Sequence, residues 1–229
     1  MLFIENSYLI EFESNILNIE NNNIILEETA FYAKSGGQPG DTGKIIFNDK
    51  EIKIIDTIYD QNTNIKHICE NIYDLKIGDK INGKINWQNR YKHMRMHSAL
   101  HLLCSLIPYD VTGGQISYAK SRLDFNVDDK IDKEKIENTI NKLVQNDHEI
   151  SYQWISNEEL DKQPELVRTM SVKPPRTNSK IRLVKIGNID LQPCGGTHVK
   201  STNEIGIIKI GKIENKGKKN RRVNILLND

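Results

Sequence analysis

The chain has 229 residues, of which 37% are hydrophobic and 28% charged, a composition that excludes a disordered protein. Its formal net charge of +1 excludes a uniformly basic nucleic-acid binder, so affinity for nucleic acid would require local charge segregation. No apolar run approaches the roughly 18 residues of a membrane-spanning helix, and the N-terminus lacks the features of a secretory signal. We expect a cytoplasmic protein without membrane partners, whose three cysteines are thiols or ligands rather than disulfides.

The first part of the chain, residues 1–86, is predicted to be a β-domain. Its apolar segments are short, rich in isoleucine and separated by Asn, Asp and Gly, which is typical of strands joined by tight turns. Several such strands at close spacing predict a small antiparallel β-barrel. The expected strands are residues 8–12, 16–19, 23–26, 44–47, 52–55 and 80–85.

A glycine-rich loop at residues 35–43 interrupts these strands. It is neither a Walker A sequence, which needs Gly-Lys-Ser/Thr, nor a GxGxxG turn that opens a helix. Two interpretations stay open. The loop is either a hairpin connection or a rigid turn whose backbone approaches another group closely.

A long helix is predicted for residues 87–107, with Asn86 as its N-cap and Pro108 closing it. His97 and His101 are four residues apart, so their rings stack on one face, one position from the apolar stripe. His93 lies one turn earlier, and helix geometry therefore permits His93 with His97 as readily as His97 with His101. The stripe consists of Met96, Leu100, Leu103 and Ile107.

The remaining chain is predicted to alternate between helices and strands, as domain 87–229. Residues 132–146 form an amphipathic helix, and a capping box at Ser156–Glu159 opens a short helix. Pro174 and Pro175 mark a loop, and Arg176, Lys180 and Arg182 around it are candidate nucleic-acid contacts, although basic residues near a loop are an unspecific signal. The other expected elements are a loop at 111–117 and strands at 120–125, 181–186, 189–191, 205–213 and 222–227.

Cys194 and His198 are separated by Gly195, Gly196 and Thr197, and glycines would let both side chains face one point. Alone this segment could be a turn, and the histidine pair of the helix could be a satisfied core pair. Together they make a Cys/His₃ set suited to zinc. The helix lacks the glutamate of HExxH, so a zinc protease would have no general base.

Seven basic residues stand between positions 209 and 222 against a single acid, Glu214. The pattern predicts either a solvated strand and turn or a surface that contacts phosphates. The basic residues are Lys209, Lys212, Lys216, Lys218, Lys219, Arg221 and Arg222.

The segments RMHSALHLL and IDLQPCGGTHV resemble the editing domain of alanyl-tRNA synthetase and its free-standing relatives, the AlaX proteins. FYAKSGGQPGDTG (31–43) and GGQISYAKSRLDF (113–125) are similar to two further segments of that family, so the resemblance covers nearly the whole chain. It implies an α+β fold, in which the barrel is followed by a two-layer editing domain of the threonyl/alanyl-tRNA synthetase second additional domain type.

The resemblance also assigns roles to residues. It selects His97, His101, Cys194 and His198 as the ligands of one Zn²⁺, and it implies a catalytic role for Gln115 beside Cys194 and His198. Because four protein ligands would close a tetrahedral site, two arrangements stay open. Either one ligand, His198, is loosely bound or replaced by water, or the ion orients the amino or hydroxyl group of the substrate while another group handles the water. The substrate contacts implied are Gly36, Gly37, Gln38, Ser117 and Thr197. Leu100 departs from the threonine that synthetase editing domains often carry, so this hydroxyl contact is either missing or supplied elsewhere, by Ser117 or Thr197.

The implied function is a zinc-dependent hydrolase that removes serine from mischarged tRNA(Ala), with glycyl-tRNA(Ala) as a second candidate substrate. The basic residues between 209 and 222 would bind the tRNA. Two alternatives stay open, a threonyl-type editing deacylase and a tRNA-binding module with a structural zinc ion. The protein is expected to be a monomer or a homodimer.

Overall fold

The computed structural model describes residues 1–170 and 180–228, so the loop expected at 174–175 and Arg176 lie outside the described residues. The chain divides into two compact units, Met1–His93 and Met94–Asp229. The domain boundary at residues 86 and 87 stays a prediction. No helix in the described ranges is both long and apolar enough to cross a membrane.

The first unit contains a closed six-stranded antiparallel barrel, which confirms the predicted barrel. Residues 8–12 and 16–19 were expected as two strands, which is wrong, because one long strand begins at Glu11 and runs through to Glu20. Ile65–Cys69 is a strand that the sequence did not indicate. The barrel strands in spatial order are β1 (Glu11–Glu20), β2 (Asn23–Leu26), β5 (Ile65–Cys69), β4 (Lys50–Tyr59), β3 (Gly43–Phe47) and β6 (Lys80–Ile85), and a short helix α1 (Leu2–Glu5) precedes them.

The barrel forms because buried residues alternate with exposed ones along most of the strands, so one face of the sheet is mainly apolar. In β6, for example, Ile81 and Ile85 are buried while the neighbouring lysines are exposed. The enclosed core consists of Phe12, Ile16, Ile24, Leu26, Ala30, Phe31, Ile45, Ile52, Ile54, Cys69, Leu75, Ile81 and Ile85.

The glycine-rich loop contains a tight turn from Ser35 to Gln38, whose backbones exchange two hydrogen bonds of 3.2 and 2.8 Å. Gly36 and Gly37 occupy its centre with φ of +54° and +84°. A two-residue turn with both centres at positive φ is the type that glycine adopts without strain. The turn therefore has a structural reason for its two glycines, whatever else it contacts.

A buried ion pair fixes the end of this loop. The Arg90 guanidinium is completely buried and contacts both carboxylate oxygens of Asp41. It also donates to the carbonyls of Ser7, at 2.9 Å, and Ala30, at 2.6 Å. The Asp41 carboxylate in turn accepts the backbone N–H of Tyr32 at 2.7 Å. Arg90 thus joins three chain segments inside the first unit.

The second unit combines helices with two antiparallel sheets, which confirms the α+β class. One sheet has the order β11-β10-β9 and the other β12-β13-β8-β7. The prediction of a loop at residues 111–117 is wrong for Val111–Gln115, which form a strand. Ile150–Ile155 is a further strand, which the sequence did not indicate. The elements are α2 (Trp87–Leu106, which begins in the first unit), β7 (Val111–Gln115), β8 (Ser121–Phe125), α3 (Lys133–Gln145), β9 (Ile150–Ile155), α4 (Asn157–Asp161), β10 (Ile181–Ile186), β11 (Asp190–Pro193), β12 (Ile208–Gly217) and β13 (Asn220–Leu227), with 3-10 turns at Pro164–Leu166 and Thr202–Ile205.

The N-terminal caps predicted at Asn86 and Ser156 are present. Asn86 Oδ1 accepts the backbone N–H of Asn89 at the start of α2, and Asp132 caps α3 through the N–H of Lys135. The capping box of Ser156 and Glu159 is present at α4. These short-range hydrogen bonds are encoded within four residues, which explains why the sequence indicates them reliably.

Helix α3 packs on the four-stranded sheet and covers its edge strand β12. Its buried face is apolar, as predicted, and consists of Ile136, Ile140 and Val144. Two polar side chains of α3 bind the backbone of β12. The Asn141 amide hydrogen-bonds both the N–H and the carbonyl of Ile208, and the Glu137 carboxylate accepts the N–H of Ile210. These contacts satisfy backbone groups that an edge strand otherwise leaves open.

Candidate metal centre

Helix α2 presents the first two side chains of the centre. His97 and His101 are one turn apart, with ring centroids separated by 5.3 Å. The helix was expected to bury one apolar stripe, but residues 96–104 are all buried, and His97 and His101 are only 8% and 6% exposed. The two imidazoles therefore lie in the interior of the second unit.

The loop after β11 presents the other two side chains, Cys194 and His198. Arg182 of β10 holds this loop, because its guanidinium donates to the carbonyls of Cys194, at 2.9 Å, and Gly196. Arg182 is 5% exposed and also stacks on the Tyr152 ring, so the sequence-based interpretation of Arg182 as a surface contact for tRNA is wrong. A guanidinium used in this way is a structural clamp.

The four side chains converge on one point. Cys194 Sγ lies 3.5 Å from His97 Nε2 and 3.3 Å from His198 Nε2. One donor atom from each of the four residues lies within 4.8 Å of every other. In a tetrahedral site with bonds of about 2.3 Å to sulfur and about 2.1 Å to nitrogen, the two atoms are about 3.6 Å apart. The observed spacing fits a metal ion, so the cluster His97, His101, Cys194 and His198 can hold one.

Outer hydrogen bonds orient two of the imidazoles. His101 Nδ1 lies 2.8 Å from Asp190 Oδ2, and the Gln192 amide donates to both oxygens of that carboxylate. His198 Nδ1 lies 3.2 Å from the hydroxyl of Ser98. With Nδ1 engaged in both rings, the Nε2 atoms face the cluster, which is the arrangement of metal-binding histidines.

The electrostatics of the cluster are strongly perturbed. Burial raises the pKa of the Cys194 thiol, but the charge of His97 and the hydrogen bonds with His101 and His198 outweigh it and bring that pKa well below its usual value. Burial and the nearby charge of His97 hold the pKa of His198 well below 6.5. Burial also lowers the pKa of His101, yet its hydrogen bonds with Asp190 and Cys194 prevail and raise it to about 10. Cys194 is thus biased toward the thiolate and His198 toward the neutral ring, the forms that bind metals.

Burial differs among the four ligands. His198 is completely buried, whereas Cys194 is the partly exposed member. The His198 ring is also anchored through Ser98, and the expectation that it is loosely held stays a prediction.

The glycines of the Cys-Gly-Gly-Thr-His loop have a different role from the one expected. Neither Gly195 nor Gly196 has a positive φ, so the loop does not require glycine for an unusual backbone conformation. The backbone N–H of Gly196 points at Cys194 Sγ at 3.4 Å, as suits a thiolate. Gly195 is exposed, and a Cβ at this position would meet no atom of the described residues within 4 Å.

The other residues assigned to the site occupy varied environments. Gln115 is exposed at the end of β7, and half-buried Ser117 exchanges hydrogen bonds with the Ser121 hydroxyl. Thr197 is completely buried. Gly36 and Gly37 are exposed in the turn of the first unit, next to buried Gln38.

The basic segment forms the hairpin of β12 and β13. Its five lysines are exposed, but Arg222 is bound by both oxygens of Asp124, at 2.8 and 2.9 Å. Arg221 donates to backbone carbonyls, including that of Asp128. Lys216 pairs with Glu214 at 2.8 Å. The two arginines therefore support the hairpin itself, and the exposed lysines carry its accessible charge.

Sequence reasoning missed three residues that support the cluster, namely Asp190, Ser98 and Arg182. Asp190 and Gln192 alternate along β11 with residues of the opposite face, and this spacing of two could have placed them beside the buried ligands. Ser98 follows His97 directly in a buried turn of helix. For Arg182 no local signal exists, since its partners lie 12 and 14 residues away.

Two known protein families match parts of the chain. The family described as threonyl and alanyl tRNA synthetase second additional domain matches residues 181–224, which include Cys194 and His198. The family described as tRNA synthetases class II (A) matches residues 4–89.

Full-length relatives are more informative. The chain is 35% identical over 244 residues to the alanyl-tRNA editing protein AlaX-M of Methanosarcina acetivorans, covering 100% of this chain and 99% of the relative. It is 36% identical over 228 residues to AlaX-M of Saccharolobus solfataricus, covering 97% and 96%. An alanine–tRNA ligase of Pyrococcus abyssi is 33% identical over 223 residues, which are 93% of this chain and 24% of the ligase. The chain therefore belongs to the AlaX family of alanyl-tRNA editing proteins, which are aminoacyl-tRNA deacylases.

Proposed function

We propose that the protein is a zinc-dependent deacylase that removes serine, and also glycine, from mischarged tRNA(Ala) in the cytoplasm. The observation that carries this proposal is the convergence of His97, His101, Cys194 and His198 in a chain of the AlaX family. Zinc is the metal that a tetrahedral set of one thiolate and three imidazoles favours.

Hydrolysis of an aminoacyl ester requires an activated water molecule and stabilisation of the developing oxyanion. A bound zinc ion supplies Lewis acidity for either task. The chain's own residues hold this centre in place, with His97, His101 and His198 buried and Cys194 at the accessible edge. We assign the approach of the ester to this edge, since the other three ligands are enclosed.

Discrimination between serine and alanine is proposed to use polar groups that bind the seryl hydroxyl. A site whose polar groups lose contact with water when the substrate binds rejects strongly a smaller substrate that leaves them unpaired, so these groups must be accessible to the substrate. Gln115 and Ser117 are candidates, because the Gln115 amide is exposed and the Ser117 side chain is half-buried. Thr197 is a weaker candidate than the sequence indicated, since its side chain is completely buried. Gly36, Gly37 and Gln38 stay proposed contacts of the substrate.

For tRNA binding we propose the exposed lysines of the β12–β13 hairpin. Each lysine that neutralises a phosphate makes the dissociation constant more sensitive to salt. We expect Lys218→Gln/Lys219→Gln to raise the dissociation constant of the tRNA complex. The slope of its logarithm against the logarithm of the salt concentration should decrease by the equivalent of about one or two phosphate contacts. The matched double variant Lys50→Gln/Lys53→Gln changes the same charge on the barrel strand β4, and an equal loss in both would refute the assignment to the hairpin.

A deacylation assay tests the proposed function. Purified protein of measured metal content is offered Ser-tRNA(Ala), Gly-tRNA(Ala), Ser-tRNA(Thr) and Ala-tRNA(Ala). We expect hydrolysis of the first two, and loss of both the bound metal and the activity in Cys194→Ala. Cys69→Ala makes the same change in the barrel core and should retain activity.

The outcomes separate the alternatives. Preference for Ser-tRNA(Thr) would favour threonyl-type editing. Stoichiometric zinc without hydrolysis of any ester would favour a tRNA-binding module with a structural ion. Undiminished hydrolysis by a folded Cys194→Ala variant would eliminate the metal mechanism.

A further inference from the structure

Gly195 is a glycine that the fold does not explain. Among the glycines that face open space, Gly36, Gly78 and Gly217 have φ of +54°, +91° and +148°, a conformation that other residues adopt only with strain. Gly195 has no such φ, and a Cβ added to it would approach no atom of the described residues within 4 Å. Neither backbone conformation nor packing within the described chain requires glycine there.

The position of Gly195 suggests a different reason. It directly follows Cys194, the partly exposed ligand, while His97, His101 and His198 are 8%, 6% and 0% exposed. A molecule that approaches the cluster from solvent therefore passes the Cys194 edge, where Gly195 is itself exposed. A Cβ at residue 195 would lie in open space, one residue from Cys194.

We propose that the space in front of Gly195 admits the aminoacyl ester to the cluster, so that Gly195 determines which acyl groups reach it. This inference rests on the proposed deacylase function. The aminoacyl group is linked to the bulky ribose of the terminal nucleotide, so a small loss of space near the ester would displace its carbonyl. A displacement of about 1 Å at a reacting centre costs up to about a hundredfold in rate.

The test is a graded pair of variants, Gly195→Ala and Gly195→Val. We expect kcat/KM for Ser-tRNA(Ala) to fall on the order of tenfold for Ala and a hundredfold for Val. The melting temperature and the zinc content should equal those of the wild type. Gly78→Ala is the matched control, because its positive φ predicts a lower melting temperature with unchanged kcat/KM.

A second readout does not depend on catalysis. In metal-free protein, alkylation of Cys194 by iodoacetamide and by a bulky maleimide measures access to the sulfur directly, since Cys69 and Cys104 are buried. Gly195→Val should slow the bulky reagent at least tenfold more than the small one.

Each result decides the inference. Unchanged kcat/KM and unchanged alkylation in Gly195→Val would overturn it, and so would loss of zinc or of stability, because Gly195 would then be structural. If the wild type hydrolyses no ester, the proposed function fails, and equal slowing of both reagents would then overturn the access role independently.

Discussion

Replacing Arg90 by methionine should destabilise the first unit severely. The substitution keeps much of the side-chain volume but leaves the Asp41 carboxylate buried without its cation. The carbonyls of Ser7 and Ala30 also lose their donors. The hydrogen bond that Asp41 accepts from the Tyr32 N–H would remain, but a single backbone donor cannot replace a guanidinium.

The expected loss of stability in Arg90→Met can be estimated because the ion pair is buried. Removing one partner of a buried ion pair costs about 3–5 kcal/mol, mainly because the other charge is left uncompensated. A change of 1 kcal/mol shifts the melting temperature of a domain of 60–100 residues by roughly 4–8 °C. We therefore expect the barrel transition of Arg90→Met to fall by about 15–30 °C.

Calorimetry measures this transition, and fluorescence of Trp87, which packs against the barrel core, reports it in a Trp154→Phe background. Asp41→Asn combined with Arg90→Met removes the orphaned charge and should recover part of the loss. Lys84→Met breaks the exposed pair with Glu11 on the barrel surface and should change little. A melting temperature for Arg90→Met within 5 °C of the wild type would refute the reasoning, taking about 1 kcal/mol as the limit.

Three further predictions concern other residues. Burial lowers the pKa of His67 from 6.5 to about 4, so the folded state binds fewer protons than the unfolded chain. The contribution of His67 to the free energy of unfolding is therefore fully present above pH 6.5, and this free energy should decrease by about 3 kcal/mol toward pH 4. If His67 is responsible, urea unfolding of His67→Gln should show a smaller decrease over the same pH range. Gly40→Ala should lower the melting temperature far more than Gly36→Ala. A Cβ at residue 40 would lie 2.0 Å from the Thr57 carbonyl oxygen, whereas residue 36 has open space and only an unfavourable φ. Similar decreases in the two variants would contradict the steric argument. Asp190→Asn should weaken metal affinity about 10- to 100-fold in a chelator competition, and an unchanged affinity would mean that its contact with His101 is incidental.

The sequence predicted the features that depend on residues close together in the chain. The cap of Asn86 and the capping box of Ser156 each involve residues within four positions, and the structure contains both. The spacings of His97 with His101 and of Cys194 with His198 are equally local. Helix geometry alone left His93 as an alternative to His101, and the structure brings His101 rather than His93 into the cluster.

The sequence did not predict the features that depend on contacts between distant parts of the chain. Gly113 and Gly114 indicated a loop, yet they belong to β7, because pairing with β8 outweighs their weak strand propensity. The contact of Arg90 with Asp41 spans 49 positions and that of His101 with Asp190 spans 89, and neither leaves a periodic pattern. Such contacts depend on the tertiary fold, which composition and spacing do not specify.

The spread of the four ligands along the chain also has a consequence for folding. Roughly ninety residues separate His101 from Cys194, and a link that closes a loop of this length removes about 4–5 kcal/mol of chain entropy from the denatured ensemble in the simplest treatment. The clustered arrangement exists only once helix α2 and the loop after β11 have come together, so an ion would join after this long-range contact has formed. Chelation should therefore accelerate unfolding while leaving the refolding rate nearly unchanged.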